Sequence, residues 1–207
     1  MLFRRNSVIV FQGDSITDAG RTAPGSYNLG DGYAAMAIGA LKSLYPDYNL
    51  TLYNRGVSGD RVSDLAERWD RDTLDLNPAL VSILIGINDV WHYRANGAPF
   101  DLVRLEEDYV SIVESTLRRG SKLIILEPFA FHHDVFREIW RSDLWKVIQV
   151  IRRIALRYAD AYIPLDGIFH EEAIKVGSVS LTTDGVHPTP DGHRLIADAW
   201  LKAAREN

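Results

Sequence analysis

The stretch "LVSILIG" at residues 80–86 is almost continuously apolar, which is typical of a parallel β-strand buried on both faces. Helical periodicity, with apolar residues recurring three and four positions apart, fills much of the chain between this stretch and other short apolar runs. Those runs are "SVIVF" at 7–11, "LTLYN" at 50–54, "KLIIL" at 122–126 and "AYIPL" at 161–165. A chain that alternates strands and helices in this way predicts a parallel sheet covered by helices on both faces.

The repeated strand–helix unit predicts a three-layer α/β fold. Its five strands are expected to form a doubly wound, flavodoxin-like parallel sheet in the order 2-1-3-4-5. No repeat, low-complexity stretch or linker divides the 207 residues, so we expect one domain spanning 1–207. Ligands of such folds bind beyond the carboxyl ends of the strands where the strand order reverses, which here lies beside strand 1.

The composition excludes several classes of function. A formal net charge of -5 argues against nucleic acid or an anionic membrane surface as a partner, because both favour a basic patch. The absence of cysteine excludes disulfides, a thiolate nucleophile and a zinc–thiolate site. "SVIVF" is too short for the apolar region of a signal peptide, and no apolar run has the length of a membrane helix. The sequence therefore predicts a cytoplasmic protein.

Polar motifs gather at one edge of the predicted sheet. They are "FQGDSITDAG" (11–20) after strand 1, "NRGVSG" (54–59) after strand 2, "GINDVW" (86–91) after strand 3 and "DGVHP" (184–188) before the last helix. In the order 2-1-3-4-5, the loops carrying Gly56 and Asn88 flank Ser15, and the last helix returns Asp184 and His187 to the same edge. Taken alone, Ser15 also fits an ordinary turn, in which its hydroxyl bonds its own backbone.

These residue types together suit acyl transfer. A serine hydroxyl becomes a useful nucleophile when a neutral histidine accepts its proton, and an aspartate on the other ring nitrogen orients the imidazole. The negative oxygen of the tetrahedral intermediate needs preorganised donors, which the amides of Ser15 and Gly56 and the side chain of Asn88 would supply. Asp14 and Asp18 are expected to brace the serine loop through bonds to its backbone.

The four motifs, in this order, resemble those of the GDSL or SGNH hydrolase family. "GDSIT" (13–17) matches the nucleophile block, with Ile16 where the family more often has leucine. The resemblance implies the SGNH hydrolase fold, with no metal and no organic cofactor. It also implies Ser15 as nucleophile, His187 as base, Asp184 as its orienting partner, and Ser15, Gly56 and Asn88 as the oxyanion hole.

Other stretches resemble one branch of that family. "GDSITDAGR", "LGDGYAA" and "IGINDVW" are similar to segments of intracellular bacterial members that remove acetyl groups from xylose-based saccharides. The resemblance implies a serine esterase whose partner is a small-molecule ester, such as an acetylated xylo-oligosaccharide. An acyl thioesterase or lysophospholipase of the same family is the alternative. A non-catalytic binding domain of this fold should have eroded motifs, whereas these are intact.

Three further features have competing interpretations. Aromatic residues after strands 3 and 4 suit a sugar ring, or serve as hydrophobic cover or a homo-oligomer contact: Trp91, His92, Tyr93, Phe129 and Phe131. His132, His133 and Asp134 lack a further ligand at a recognisable spacing, so we expect them to line the pocket rather than bind metal. The charge-rich stretches at 68–75 and 104–108 are predicted to be solvated helix faces.

Overall fold

The computed structural model describes residues 1–25, 27–133 and 138–206, and within them it confirms the predicted sheet. Five parallel strands run in the order β2-β1-β3-β4-β5. Their bounds are β1 Val8–Gly13, β2 Thr51–Asn54, β3 Leu80–Leu84, β4 Lys122–Leu126 and β5 Ala161–Ile163. Every residue of β3 is buried, as the apolar run predicts for the central strand.

Helices cover both faces of the sheet. Their bounds are α1 Ser15–Asp18, α2 Tyr33–Leu44, α3 Val62–Glu67, α4 Trp69–Asp72, α5 Ile87–Asn96, α6 Leu102–Arg118, α7 Glu138–Tyr158, α8 Leu165–Val176 and α9 Pro190–Glu206. Helices α2 and α9 pack together on one side, while α3, α6 and α7 form the other layer. No helix among the described residues combines the length and the apolar character needed to cross a membrane.

Successive side chains of β1 face these two layers, as the twofold repeat of a strand requires. Phe11 contacts the rings of Tyr33 on α2 and Trp200 on α9. Its neighbour Gln12 points the other way and donates from Nε2 to Thr73 Oγ1 at 2.7 Å. The strand is therefore fixed from both sides immediately before the motif that carries Ser15.

The end of β1 requires glycine because the backbone of β3 passes close to it. A Cβ atom on Gly13 would lie 2.3 Å from the carbonyl oxygen of Leu84 and 2.3 Å from Thr17 Oγ1. Any larger residue would push α1 away from the sheet. This close approach brings the first turn of α1 directly onto the carboxyl edge.

The segment after β3 differs from the predicted loop. The strand ends at Leu84, and helix α5 begins at Ile87 after Gly86, whose φ of 121° turns the chain. Ile87 and Val90 are buried and hold the helix against the core. Asn88 therefore lies on the first turn of a helix, which fixes its position more firmly than a loop would.

We predict that Trp200→Ala lowers the free energy of unfolding by about 3–5 kcal/mol, because it empties a large fully buried site. The substitution removes the ring contact with Phe11, whose centroid lies 4.7 Å away, and leaves Ser82 Oγ without the indole donor at 2.9 Å. Urea denaturation measures the loss. The control is Leu156→Ala on α7, where the side chain is 92% exposed and a change within about 0.5 kcal/mol is expected. Equal losses for both variants would contradict the description of the core.

Candidate active site

Ser15 is the first residue of α1, immediately beyond β1, and two aspartates brace it. Asp14 caps the helix by accepting the amide of Ile16 at 3.0 Å. Asp18 accepts the amide and the hydroxyl of Ser58, at 3.2 and 2.6 Å, and so links α1 to the segment after β2. The bond from Ile16 to Asp14, together with one of 3.2 Å from the amide of Arg21 to Asp18 Oδ1, confirms the bracing predicted for both carboxylates. Burial raises the pKa of Asp14 to about 7.

Asp184 and His187 lie on a closed loop before α9. The ends of the loop are joined by a bridge between Thr182 and Pro188, and the amide of Thr183 donates to the carbonyl of His187 at 2.9 Å. The segment after β4 supports it, since the amide of Phe131 donates to the carbonyl of Gly185 at 2.8 Å. The loop thus holds its two polar side chains in fixed positions.

One chain of hydrogen bonds joins the three polar side chains. Ser15 Oγ lies 3.0 Å from His187 Nε2, and His187 Nδ1 lies 2.6 Å from Asp184 Oδ2. The other oxygen of Asp184 accepts the amides of Val186 and His187, at 3.0 and 2.8 Å. An ionised carboxylate only accepts, so Nδ1 carries the imidazole proton and Nε2 is free to accept from the serine hydroxyl.

The pKa shifts agree with that arrangement. Burial acts to raise the pKa of Asp184, but the hydrogen bonds from the His187 ring and the two amides outweigh it and hold the pKa below its usual range. The bond to Asp184 raises the pKa of His187 against the opposing effect of burial, and the nearby charge of Asp14 acts in the same direction. Asp184 is therefore ionised at neutral pH, and the basicity of His187 is increased.

Asn88 and Gly56, both predicted to donate to the negative oxygen, differ in whether a donor hydrogen is still free. One hydrogen of Asn88 Nδ2 donates to the carbonyl of Asp60 at 3.0 Å, which leaves the second hydrogen available. The amide of Gly56 already donates to Asn54 Oδ1 in a buried bond of 3.0 Å. Gly56 is therefore not a free donor in this structure, contrary to the prediction, because the side chain two residues earlier satisfies it.

Gly59, in the same motif, presents a different amide. The bond from the amide of Asp60 to the carbonyl of Val57, at 3.2 Å, closes a turn in which Gly59 has a φ of 89°. Among the described residues, neither the Gly59 amide nor the Ser15 amide has a hydrogen-bond acceptor. The sequence signal for this was the dipeptide "SG" at 58–59, typical of a turn that needs positive φ.

Aromatic side chains border the histidine. The ring of Trp91 lies edge-on to His187, with centroids 6.3 Å apart, and edge-on to Trp140 at 5.8 Å. Asn88, Trp91 and His92 share one face of α5, since they are three and four positions apart. The position of Trp91 agrees with the predicted pocket, whereas Trp140 was not among the aromatic residues singled out from the sequence.

Two of the other predicted substrate contacts lie elsewhere. Phe129 is fully buried and stacks on Phe169 with centroids 3.8 Å apart, so it belongs to the core and cannot meet a ligand. Tyr93 stacks on Phe100 at 5.0 Å and lies about 200° around α5 from Trp91. The sequence shows that aromatics follow the strands but not which way each ring points.

The histidines after β4 do not form a recognisable metal site in the described part of the chain. His132 Nδ1 lies 3.7 Å from Glu138 Oε2, and both side chains are exposed. No group of three or more His, Asp or Glu side chains is arranged for a metal ion within residues 1–25, 27–133 and 138–206. Asp134, which the sequence placed beside these histidines, lies outside the described residues.

A parallel α/β sheet with an Asp–His–Ser hydrogen-bond chain at its carboxyl edge defines a class of protein, the hydrolases that use an activated serine. Similarity over most of the chain identifies the family within that class. The protein belongs to the GDSL-like lipase/acylhydrolase family, whose model matches residues 11–195, and it is a carboxylic ester hydrolase. The predicted SGNH hydrolase fold is confirmed.

Similar proteins include esterases of known structure. The chain is 34% identical over 206 residues to an acetylxylan esterase of Geobacillus stearothermophilus, covering 94% of this chain and 92% of the relative. The crystal structure of Axe2, an acetylxylan esterase from that organism, matches with a TM-score of 0.89 and 31% identity, covering 99% and 97% of the two chains. LAE5, an alpha/beta hydrolase enzyme from the metagenome of Lake Arreo, matches over the same shares with a TM-score of 0.87 and 31% identity.

We predict that the acid limb of kcat/KM lies above pH 6.5, because His187 must be neutral to act as a base and its pKa is raised. In Asp184→Asn the main cause of that increase is removed. The limb should then move to lower pH, while the plateau falls by about 10²- to 10⁴-fold. The control is Asp191→Asn, an exposed carboxylate at the start of α9 that should leave the profile unchanged. A limb that stays in place in Asp184→Asn would contradict the assignment.

Proposed function

We propose that the protein removes acetyl groups from xylose-based oligosaccharides through an acyl-enzyme on Ser15. The observation that carries this proposal is the continuous bond path from Asp184 through His187 to Ser15, at 2.6 and 3.0 Å. The similar acetylxylan esterase supports the choice of acyl group and carbohydrate. The catalytic mutants of Axe2, which replace a serine, an aspartate and a histidine, support the choice of residue types.

The reaction follows from the positions of the proton donors and acceptors. Ser15 Oγ attacks the ester carbonyl while its proton passes to His187 Nε2, and a tetrahedral intermediate forms. The intermediate collapses when the carbohydrate oxygen leaves with the proton from His187. A water molecule, activated by the same nitrogen, then attacks the acyl-enzyme, and acetate leaves as Ser15 regains its proton. Asp184 keeps the ring in the required tautomer throughout.

The negative oxygen of the intermediate needs donors that are already in place. We propose the amides of Ser15 and Gly59 together with the free hydrogen of Asn88 Nδ2 for this role. Among the described residues the two amides have no acceptor, and Asn88 Nδ2 uses one hydrogen for the carbonyl of Asp60 and keeps the other, whereas the amide of Gly56 is bonded to Asn54. Gly59 thus replaces Gly56 in the oxyanion hole that the family resemblance implied.

Trp91 and Trp140 support a carbohydrate rather than a long acyl chain as the larger part of the substrate. Their rings make an aromatic wall beside His187, from which the leaving oxygen takes its proton. Flat aromatic faces beside polar groups suit the face of a sugar ring. The predicted contact from His92 and the predicted cytoplasmic location stay predictions.

We predict that the protein hydrolyses acetylated xylo-oligosaccharides and that its activity on 4-nitrophenyl esters falls from acetate through butyrate to octanoate. Ser15→Ala should abolish both activities without changing the unfolding midpoint, because the side chain is small and partly exposed. Acetate release and nitrophenol absorbance give the rates. A preference for octanoate, or for an acyl thioester, would favour the thioesterase or lysophospholipase alternative. Activity that survives in Ser15→Ala would overturn the role of this residue.

We predict that Trp91→Ala raises KM for acetylated xylo-oligosaccharides by about three- to tenfold, the loss expected for one aromatic contact. KM for 4-nitrophenyl acetate should change less, because that ester has no sugar ring. Trp145→Ala is the matched control, since Trp145 is 51% exposed on α7 and should leave both values unchanged. Equal changes for the two substrates would argue against a sugar contact at Trp91.

A further inference from the structure

Arg68 joins the segments on which the catalytic groups depend. It lies between α3 and α4 with only 10% of its side chain exposed, although the stretch 68–75 was predicted to be a solvated face. The guanidinium donates to five acceptors, at 2.6–3.4 Å: Asp60 Oδ2, Gln12 Oε1, the carbonyls of Arg55 and Gly13, and Asp72 Oδ2.

One of these acceptors, the carbonyl of Gly13, lies directly before the serine turn. The carbonyl of Gly13, 3.3 Å from Arg68 Nη2, belongs to the peptide that ends β1 and precedes the Asp14–Ser15 turn. The same carbonyl accepts the amide of Val57 at 3.0 Å, so the serine turn and the segment after β2 meet at this oxygen.

Two other contacts of Arg68 hold the segment after β2, which carries Gly59. Arg68 Nη1 donates to the carbonyl of Arg55 at 2.9 Å, and Nε donates to Asp60 Oδ2 at 2.6 Å, so the guanidinium holds both ends of the segment 55–60. The backbone carbonyl of Asp60 accepts Asn88 Nδ2 at 3.0 Å. Gly59 and Asn88 are therefore both anchored to a residue that Arg68 restrains.

We propose that Arg68 is a positioning residue for the reaction at Ser15, a role that rests on the proposed function. Its planar, multi-donor guanidinium sets the separation between the serine turn and the donors of Gly59 and Asn88. A lysine in its place has one nitrogen and cannot reach acceptors on three segments at once. The Asp60 carboxylate is the nearer of two carboxylates that balance the buried charge of Arg68, and Asp72 is the other.

The test compares Arg68→Lys with the wild-type protein on 4-nitrophenyl acetate, a small ester that does not depend on the sugar contacts. We expect kcat to fall by about 10- to 100-fold, because misplaced donors act on the transition state, while KM stays within about threefold. The matched control is Arg152→Lys, which disturbs another ion pair, with the fully buried Glu127, and should leave kcat unchanged. Circular dichroism and unfolding midpoints show that each variant is folded.

A mutant cycle and a rescue experiment separate positioning from loss of structure. In an Asn88→Ala background, Arg68→Lys should cost clearly less than in the wild type, because both act on the same donor group. Millimolar guanidinium chloride should raise kcat of Arg68→Ala, whereas sodium chloride at equal ionic strength should not. If the Arg68 variants do not fold, Asp60→Asn, which keeps the carbonyl bonded to Asn88, should show the same loss of kcat.

The outcomes distinguish this inference from the proposed function. Wild-type activity together with unchanged kcat in folded Arg68→Lys, or in Asp60→Asn, would overturn the role of Arg68 alone. A wild-type protein without activity on any ester would overturn the proposed function instead. Additive losses in the cycle, or equal rescue by sodium chloride, would also count against positioning.

Discussion

The hydrogen bond between Ser15 Oγ and His187 Nε2 is the interaction that the rest of the structure serves. It joins residues 172 positions apart in the sequence, so neither segment can create it alone. The position of β1 between β2 and β3 brings Ser15 to the carboxyl edge of the sheet, and the return of the chain before α9 brings His187. Chemistry in this protein therefore depends on the complete assembly of the domain.

Hydrogen bonds of buried and half-buried charged side chains hold the segments of the site in position. Asp14 and Asp18 hold the serine turn, Asp184 closes its own loop, and Arg68 ties the serine turn to the segment after β2. Buried charges destabilise a fold unless they are paired and hydrogen-bonded. The charges at this site are hydrogen-bonded, and they hold the segments that carry the proposed oxyanion donors. Donors that are already in place lower the free energy of a charged transition state.

The sequence was sufficient for the sheet and for the Asp–His–Ser hydrogen-bond chain at its edge, but not for the finer geometry. Apolar runs and the motif order predicted the strand order and brought Ser15, Asp184 and His187 together, since parallel strands end at one edge. Which glycine amide is free depends on the local bond from Gly56 to Asn54, which no pattern reveals. The burial of Phe129 likewise depends on its partner Phe169, forty residues later in the chain.

The charged stretch 68–75 shows the same limit of sequence patterns. It was predicted to be a solvated face, but Arg68 is covered by the segments that it binds.

Labelling with a fluorophosphonate tests the role of Ser15 as the nucleophile most directly, since such a probe reacts with an activated serine. The proposed mechanism predicts one adduct on Ser15, found by peptide mass spectrometry, and much slower labelling in folded His187→Ala. An adduct on another serine, or labelling of Ser15 at an unchanged rate without His187, would contradict it.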